Sequence, residues 1–470
     1  MQSLTSNVKT PETSMTMVES GVDSVTGRRS YNEHVNPQWV RLLSLLEMDA
    51  EYVECRGEKL HTADGRVILD FLSGYCVYNA GHNHPVIIDA LHRELDSHGP
   101  SMLQSHVAAT AGDLAEKLCA RAGGRLKKVY FCSSGSEGVE TAIKFSRAHT
   151  GRDGLLAARG AFHGLTCGAL ALMDHGFWSE GFGPLIPGVE FVDFGDLTAL
   201  EEKLATKKHA ALILEPIQGE GGIVIPGSDY LQGAQKLCRK YGTLLVMDEV
   251  QTGLGRAGRF LASHHYALDP DIVILAKALS GGLVPSGAVL MSDAIYDSVY
   301  SSLRRAIVHT STYSENSLAM RAGLAMLDVI EGERLAERAL EVGEEFRTLL
   351  REKISGYEMV AEVRGMGFFT GIAFHAPRSL ALRLSFQAFQ RIHPALFGQM
   401  LVMRMFREHG ILTQICGNNF MVLKAAPPLN AAAGSLERFV FAIDQVLGLV
   451  HSSTRFWQDA LSLAARAARI

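Results

Sequence analysis

Two apolar runs in the middle of the chain end in residues able to do chemistry. TLLVMDE (243–249) closes on Asp248 and Glu249 with Gln251 just beyond, and DIVILAK (271–277) closes on Lys277. Neither run alternates as a half-solvated strand would, and both match strands buried on two faces of a helix-covered sheet. Open α/β sheets gather ligands at the carboxyl ends of their strands, so this acid and this amine belong to one edge. A lysine at such a point has three explanations: it snorkels to solvent, it pairs with a carboxylate, or burial lowers its pKa for Schiff-base chemistry. Gly253, Gly255 and Gly258 also satisfy G-x-G-x-x-G, the glycine fingerprint of dinucleotide binding. That fingerprint needs glycines directly after the strand and a helix directly after the glycines. Asp248 to Thr252 intervene here and Arg259-Phe260-Leu261 opens no amphipathic helix. A glycine loop is therefore expected, and a nicotinamide- or flavin-dependent oxidoreductase is disfavoured.

A third run, KKVYFC (127–132), leads through SSGSEG into a helical pattern that places Val139, Ile143 and Ser146 near one face and stops at Gly151. Strand, hydroxyl- and glycine-rich turn, then helix N-terminus make a cradle where backbone N–H groups and the helix dipole meet a phosphate. Taken alone, SSGSE is equally a helix N-cap with Glu137 in the first turn. Taken with Asp248 and Lys277, it fits pyridoxal phosphate. That cofactor asks for a lysine to bind its aldehyde, an acid to pair with its ring nitrogen, and a seat for its phosphate.

The positioning elements follow the same logic. AALILEP (210–216) and SGAVLMS (286–292) read as further buried strands, and SDYLQGAQKLCRKYG as a helix with Leu231, Ala234, Leu237 and Cys238 on one stripe. Strand–helix alternation over 101–330 predicts a large α/β domain with a parallel or mixed sheet. Residues 321–354 read as one long charged helical stretch, VRGMGFFTGIAF as strands and NNFMVLKAAP as another. Segments 31–100 and 331–470 are expected to form a smaller α+β domain from both chain ends. Residues 1–30 are polar and aperiodic, the pattern of a disordered tail with neither a secretory nor a mitochondrial leader. A chain of 470 residues with 47% apolar residues and a net charge of −5 is globular and carries no nucleic-acid footprint. No run is long enough to span a membrane. Seven scattered cysteines without a C-x-x-C pair suggest reduced thiols, no zinc site, and a cytoplasmic location.

The chain resembles the class III pyridoxal-phosphate-dependent aminotransferases, the group of the ornithine, acetylornithine, 4-aminobutyrate and putrescine enzymes. SGYCVYNAGHNHP (73–85), SSGSEGVETAIKFSR (133–147), AFHG (161–164), EPIQGEGG (215–222), DEVQTGLGR (248–256), AKALSGG (276–282), HTSTYSENS (309–317), VRGMGFF (363–369) and APPL (426–429) follow in the family's order. The resemblance runs from about residue 40 to 445. It implies the type I fold of pyridoxal-phosphate-dependent transferases and a homodimer. It gives Lys277 the cofactor aldehyde and the proton transfer, Asp248 the ring nitrogen and Gln251 the phenolic oxygen. Gly135 and Ser136 would donate to the phosphate, Phe162 would stack on the ring, and Thr312 would reach the phosphate of the neighbouring subunit. Arg364 would grip the α-carboxylate of glutamate, with Glu220 neutralising it when an ω-amine enters, and Tyr75 and Tyr78 would line the mouth. An interdomain ion pair for Arg364, a loop charge for Glu220 and core positions for the two tyrosines stay open. Departures are Thr310, Ser314 and Glu315 in place of small glycines, and Lys424 where many relatives carry arginine.

The implied reaction moves an amino group from a terminal, ornithine- or diamine-like amine to a 2-oxo acid such as 2-oxoglutarate. A racemase, an aminomutase or a decarboxylase on the same scaffold are the alternatives. So is an aminotransferase for a bulky lipid-linked, hopanoid-type aldehyde, for which Phe386, Phe389, His393, Phe397, Met400 and Met403 would form an apolar flank unless they are a buried helix.

Overall fold

The computed structural model describes residues 24–103, 105–174, 176–452 and 456–459. Three N-terminal strands come first: β1 (Tyr52–Arg56), β2 (Lys59–Thr62) and β3 (Val67–Asp70). Seven more follow in the middle of the chain: β4 (Lys128–Cys132), β5 (Gly154–Ala158), β6 (Val189–Val192), β7 (His209–Leu214), β8 (Leu244–Asp248), β9 (Ile272–Leu275) and β10 (Gly287–Met291). Five close the chain: β11 (Val360–Met366), β12 (Phe369–Phe374), β13 (Ile411–Leu412), β14 (Gln414–Ile415) and β15 (Val422–Ala425).

The seven middle strands form one sheet in the order β4-β10-β9-β8-β7-β5-β6. Pairings from β6 through β9 are parallel, and β10 runs antiparallel to both β9 and β4. The sheet is therefore mixed, with a single reversed strand. Its interior strands are buried on both faces: in β8, Leu245 and Met247 join one core while Leu244 and Val246 join the other. That two-sided burial explains why these runs show no alternation. The reversal of β10 brings its first residues to the same edge as the carboxyl ends of β4, β8 and β9.

The two chain ends share a sheet. β13 pairs in parallel with β3, completing the order β1-β2-β3-β13, and a third sheet runs β11-β12-β15-β14. Three sequence expectations change. Of the tail expected to be disordered, residues 1–23 lie outside the described residues, but Ser24–His34 is a helix. Its polar surface is solvated, and Arg28 ties it down through Asp49 at 2.5 Å and Ser44 at 2.8 Å. The stretch 321–354 is not one helix. Ser317–Gly332 and Leu335–Ile354 are separated at Arg334, which is left-handed (φ 50°, ψ 43°). The break lets a helix buried on nearly every side give way to an amphipathic one.

Of the residues in 386–403 named as an apolar flank, all but the exposed His393 are core. Phe386, Phe389, Phe397, Met400 and Met403 are buried, and Phe389 packs on Trp457 with ring centroids 4.8 Å apart. Among the described residues no helix is long and apolar enough to cross a membrane, and no group of His, Cys, Asp and Glu could hold a metal.

Candidate active site

A cavity of about 380 Å³ opens at the carboxyl edge of the large sheet. Gly135, Ser136, Phe162, Asp248, Gln251 and Lys277, singled out from the sequence, all line it. They arrive from the ends of four strands, as ligand sites of open α/β sheets do.

The helix Gly135–Thr150 begins at one side of the cavity. Ser134 caps it by accepting from Glu137 N at 3.2 Å, and the Glu137 carboxylate accepts from Ser133 N at 2.6 Å. The cap reading of SSGSE holds, and the turn that the cap fixes also lines the cavity. Two close approaches favour glycine here. A Cβ on Gly135 would come within 3.0 Å of Val250, and one on Gly164, at φ +120°, would run into Ser136.

Asp248 ends β8 and is almost fully buried. Its Oδ1 accepts from Val250 N at 3.1 Å, and its Oδ2 lies 2.8 Å from Nδ1 of buried His163. An ionised carboxylate only accepts, so Nδ1 carries the shared proton. Among the described residues, His163 Nε2 and Gln251 Oε1 are buried without partners. Glu249, the other acid of the pair, is structural. Its oxygens accept from Thr252 Oγ1 (2.5 Å), Ala262 N (2.9 Å), Ser263 N (2.7 Å) and Ser263 Oγ (2.7 Å), closing the loop that follows β8. Within that loop Gly255 (φ +90°) and Gly258 (φ +89°) pack against Leu429 and Leu340, and no α-helix follows. The glycine fingerprint is a packed turn.

Lys277 follows β9 in a left-handed conformation (φ +46°), a strain of about 1 kcal/mol or more for a residue with a Cβ. Burial lowers its pKa below the ordinary lysine value, and the charge of Asp248 opposes that shift. Glu215, beyond β7, lines the same cavity. Burial and the neighbouring charges of Asp248 and Glu220 push its pKa well up, although Gly219 N and Phe162 N donate to it.

Of the substrate residues named from sequence, Glu220 has polar partners other than Arg364 here. It forms a buried ion pair with Lys424, accepts from Gly417 N at 2.8 Å and meets Gln251 Nε2 at 3.4 Å. Burial alone would raise the Glu220 pKa and lower that of Lys424, but each charge reverses the effect on the other, so both stay ionised. Arg364 instead donates to the carbonyls of Gly222 (2.6 Å) and Ile223 (3.1 Å) and pairs with Glu362 at 3.0 Å. The physical reason is reach: Lys424 sits on β15 beside Glu220, while the Arg364 guanidinium is spent on the turn after it. Tyr75 lies under the ammonium of Lys424, 5.3 Å from ring centroid to Nζ. Ser73, Gly74, Tyr75 and Cys76 are all left-handed, with φ between 50° and 70°. Thr312 is exposed and outside the cavity lining of this chain.

Sequence reasoning missed His163, Glu215 and Val250. A signal existed for Glu215, which closes an apolar run just as Asp248 does. His163 stood inside the quoted AFHG, but its pairing with a residue 85 positions away left no local mark.

The family model described as Aminotransferase class-III matches residues 45–447. Aminotransferase PigE of Serratia sp. (strain ATCC 39006) is 35% identical over 447 residues, covering 88% of this chain and 52% of that protein, so the chain spans about half the length of this curated relative. An (S)-enantioselective omega-transaminase from Thermomicrobium roseum superimposes with a TM-score of 0.81 at 28% identity, over 92% of this chain and 99% of its own. The ornithine aminotransferase of Toxoplasma gondii, solved with pyridoxal phosphate partly occupying its active site, gives 0.78 at 27% identity, over 91% and 98%.

Proposed function

The chain belongs to the class III aminotransferase family and has the type I fold of pyridoxal-phosphate-dependent transferases, and on that premise we propose the reaction it performs. It moves the amino group of a terminal, ornithine- or diamine-like amine to a 2-oxo acid such as 2-oxoglutarate. One observation carries the reading: Lys277, the Asp248–His163 pair and the Ser133–Ser136 turn converge on a single cavity.

The residues fit pyridoxal phosphate. An anion seat at a helix start, a carboxylate braced to face a ring N–H, the Gln251 side-chain amide and a lysine are all at the cavity. Phe162 and Val250 are the walls proposed to flank the ring. When bound, this cofactor supplies an aldehyde that captures an amine and a ring that absorbs electrons as the substrate carbon loses a proton.

The chain's own residues do the rest. Burial leaves Lys277 Nζ more readily neutral than an ordinary lysine, so it can take that proton and return it. Asp248, braced by Val250 N and His163, holds a proton on the ring nitrogen. Gly135 and Ser136 seat the phosphate. Thr312, exposed in this chain, is proposed to complete that seat in a second copy, which makes the working unit a homodimer.

The mouth supports the choice of amine. Lys424 is taken by Glu220, and Arg364 by Glu362 and two carbonyls. A substrate carboxylate entering first would have to displace one of those partners, whereas a terminal amine need not. The 2-oxo acid is then gripped when Glu220 yields Lys424 or when Arg364 leaves the Gly222 turn. The test is to load the protein with pyridoxal phosphate, offer ornithine, putrescine or 4-aminobutyrate with 2-oxoglutarate, and quantify glutamate. Lys277→Ala should lower the yield about a thousandfold or more while melting near the wild-type temperature. Turnover of an amine with no oxo acid consumed would overturn the proposal in favour of a racemase, aminomutase or decarboxylase.

A further inference from the structure

His309 ties an otherwise exposed segment to the helix that opens the phosphate cradle. Every residue from Ser301 to Val308 is exposed, Leu303 at 97% and Ile307 at 80%, and so are Thr312 and Tyr313. Arg305 returns to the Val299 carbonyl at the segment's own stem. Apart from that bond and from Asn316 Nδ2 donating to the Tyr313 carbonyl (2.7 Å) at the other stem, among the described residues the side-chain hydrogen bonds joining 301–315 to other elements converge on His309. Its Nδ1 lies 2.7 Å from Lys144 Nζ, its Nε2 lies 3.1 Å from Thr141 Oγ1, and its carbonyl accepts from Tyr300 Oη at 2.6 Å. Tyr130 and Phe145 close on the ring with centroids 4.5 and 5.3 Å away.

The proton positions follow from the partners. Thr141 donates its hydroxyl to the Glu137 carbonyl at 2.9 Å, so its oxygen is left to accept and Nε2 carries the ring hydrogen. Lys144 has only donors, so Nδ1 accepts. One neutral tautomer satisfies both bonds, and an imidazolium would set an N–H against an ammonium. Burial and the charge of Lys144 hold the His309 pKa down to about 4. The ring is thus a fixed neutral pin.

Thr141 and Lys144 stand on Gly135–Thr150, whose first turn lines the cavity, and His309 precedes Thr312 by three positions. We propose that His309 is a positioning residue for the partner subunit's cofactor site, holding Thr312 in place by pinning 301–315 to the helix that seats this chain's own phosphate. The inference rests on the reading in which Thr312 reaches across to a second copy. One helix then serves two sites, one through its N-terminus and the other through the segment it anchors.

The test is a cycle of variants on the full-length protein: His309→Ala, Thr312→Ala, both together, and His309→Gln. Glutamine can accept from Lys144 and donate to Thr141, and it is the rescue variant. Pyridoxal phosphate Kd is read by absorbance titration, alongside dimer content and melting temperature. His309→Ala and Thr312→Ala should each weaken binding about tenfold. The double variant should be no weaker than Thr312→Ala alone, and His309→Gln should retain most of the affinity. Additive losses, or a His309→Ala dimer with wild-type Kd beside a weakened Thr312→Ala, would overturn the positioning role. If Thr312→Ala binds as wild type, the cross-subunit reading itself fails and takes the inference with it. Should His309→Ala fail to fold, Thr141→Val removes one anchor at nearly constant volume and must raise the Kd in its place; an unchanged value counts against the proposal.

Discussion

At the residue scale the site is governed by buried charges that have partners and by one carboxyl whose charge burial disfavours. Glu220 and Lys424 are buried together. Replacing Lys424 by methionine leaves an uncompensated carboxylate and should destabilise the fold by about 3–5 kcal/mol. Glu220→Gln combined with Lys424→Met should recover most of that loss, and urea unfolding of the single and double variants would show it. Glu215 behaves differently. Its folded pKa is raised above the 4.5 of an unfolded glutamate by burial and by Asp248 and Glu220, so folding takes up a proton. The stability this group contributes is therefore fully present below about pH 4.5 and is lost as the pH climbs towards the raised value, by about 1.4 kcal/mol per unit. Glu215→Gln keeps a neutral side chain at every pH. Thermal melts between pH 5 and 7 should show wild type falling relative to this variant, and parallel curves would mean that Glu215 is ionised. Asp248 and Lys277 were singled out in the sequence because each closes an apolar run at the sheet edge, and that edge is where the cavity lies. The partner of Glu220 was not, because whether a long side chain reaches Lys424 or Arg364 depends on which strands the third sheet sets beside the turn.

At the element scale the carboxyl edge of the large sheet depends on how its helices start and how its loops fold back. Ser134→Ala removes the cap of Gly135–Thr150. A loss of about 1 kcal/mol is expected, read as a lower melting temperature, with weaker pyridoxal phosphate binding because the same turn lines the cavity. The strands themselves were readable from apolar runs, and their order was not. Nothing local in SGAVLMS announces that β10 runs against both neighbours, since a buried strand has the same composition in either direction. Helix ends were half legible: Gly151 and Gly242 stop their helices in left-handed turns as glycines do. Arg334 makes the same turn without a glycine, which is why 321–354 read as unbroken.

At the scale of the whole molecule, polar groups of differing exposure join the segments before β4 and after β10 to the large sheet, and some of them are fully buried. Arg256 is the clearest. With no exposed surface, it donates to the carbonyls of Phe368 (3.0 Å) and Pro427 (2.5 Å) and to Asn79 Oδ1 (2.7 Å), and Asn79 in turn donates to Leu254 O (3.0 Å). Arg256→Met should cost about 3 kcal/mol through the buried acceptors it strands. Denaturation followed by probes in the large sheet and near β12 should show the two transitions further apart in that variant than in the wild type. The shared sheet of β3 and β13 was expected only as a second domain built from both ends, because pairing between residues so far apart is set by the closed fold.

The left-handed turn at Ser73–Cys76 carries a consequence for how this chain can change. Three of its four residues have a Cβ that this backbone disfavours, and at Ser73, whose buried hydroxyl has no partner among the described residues, glycine would firm the fold while loosening the wall beside Tyr75. Random drift towards a hardier protein and retention of the entrance proposed beside Tyr75 therefore pull in opposite directions at this turn, and laboratory selection for heat resistance alone would be expected to relax the turn first.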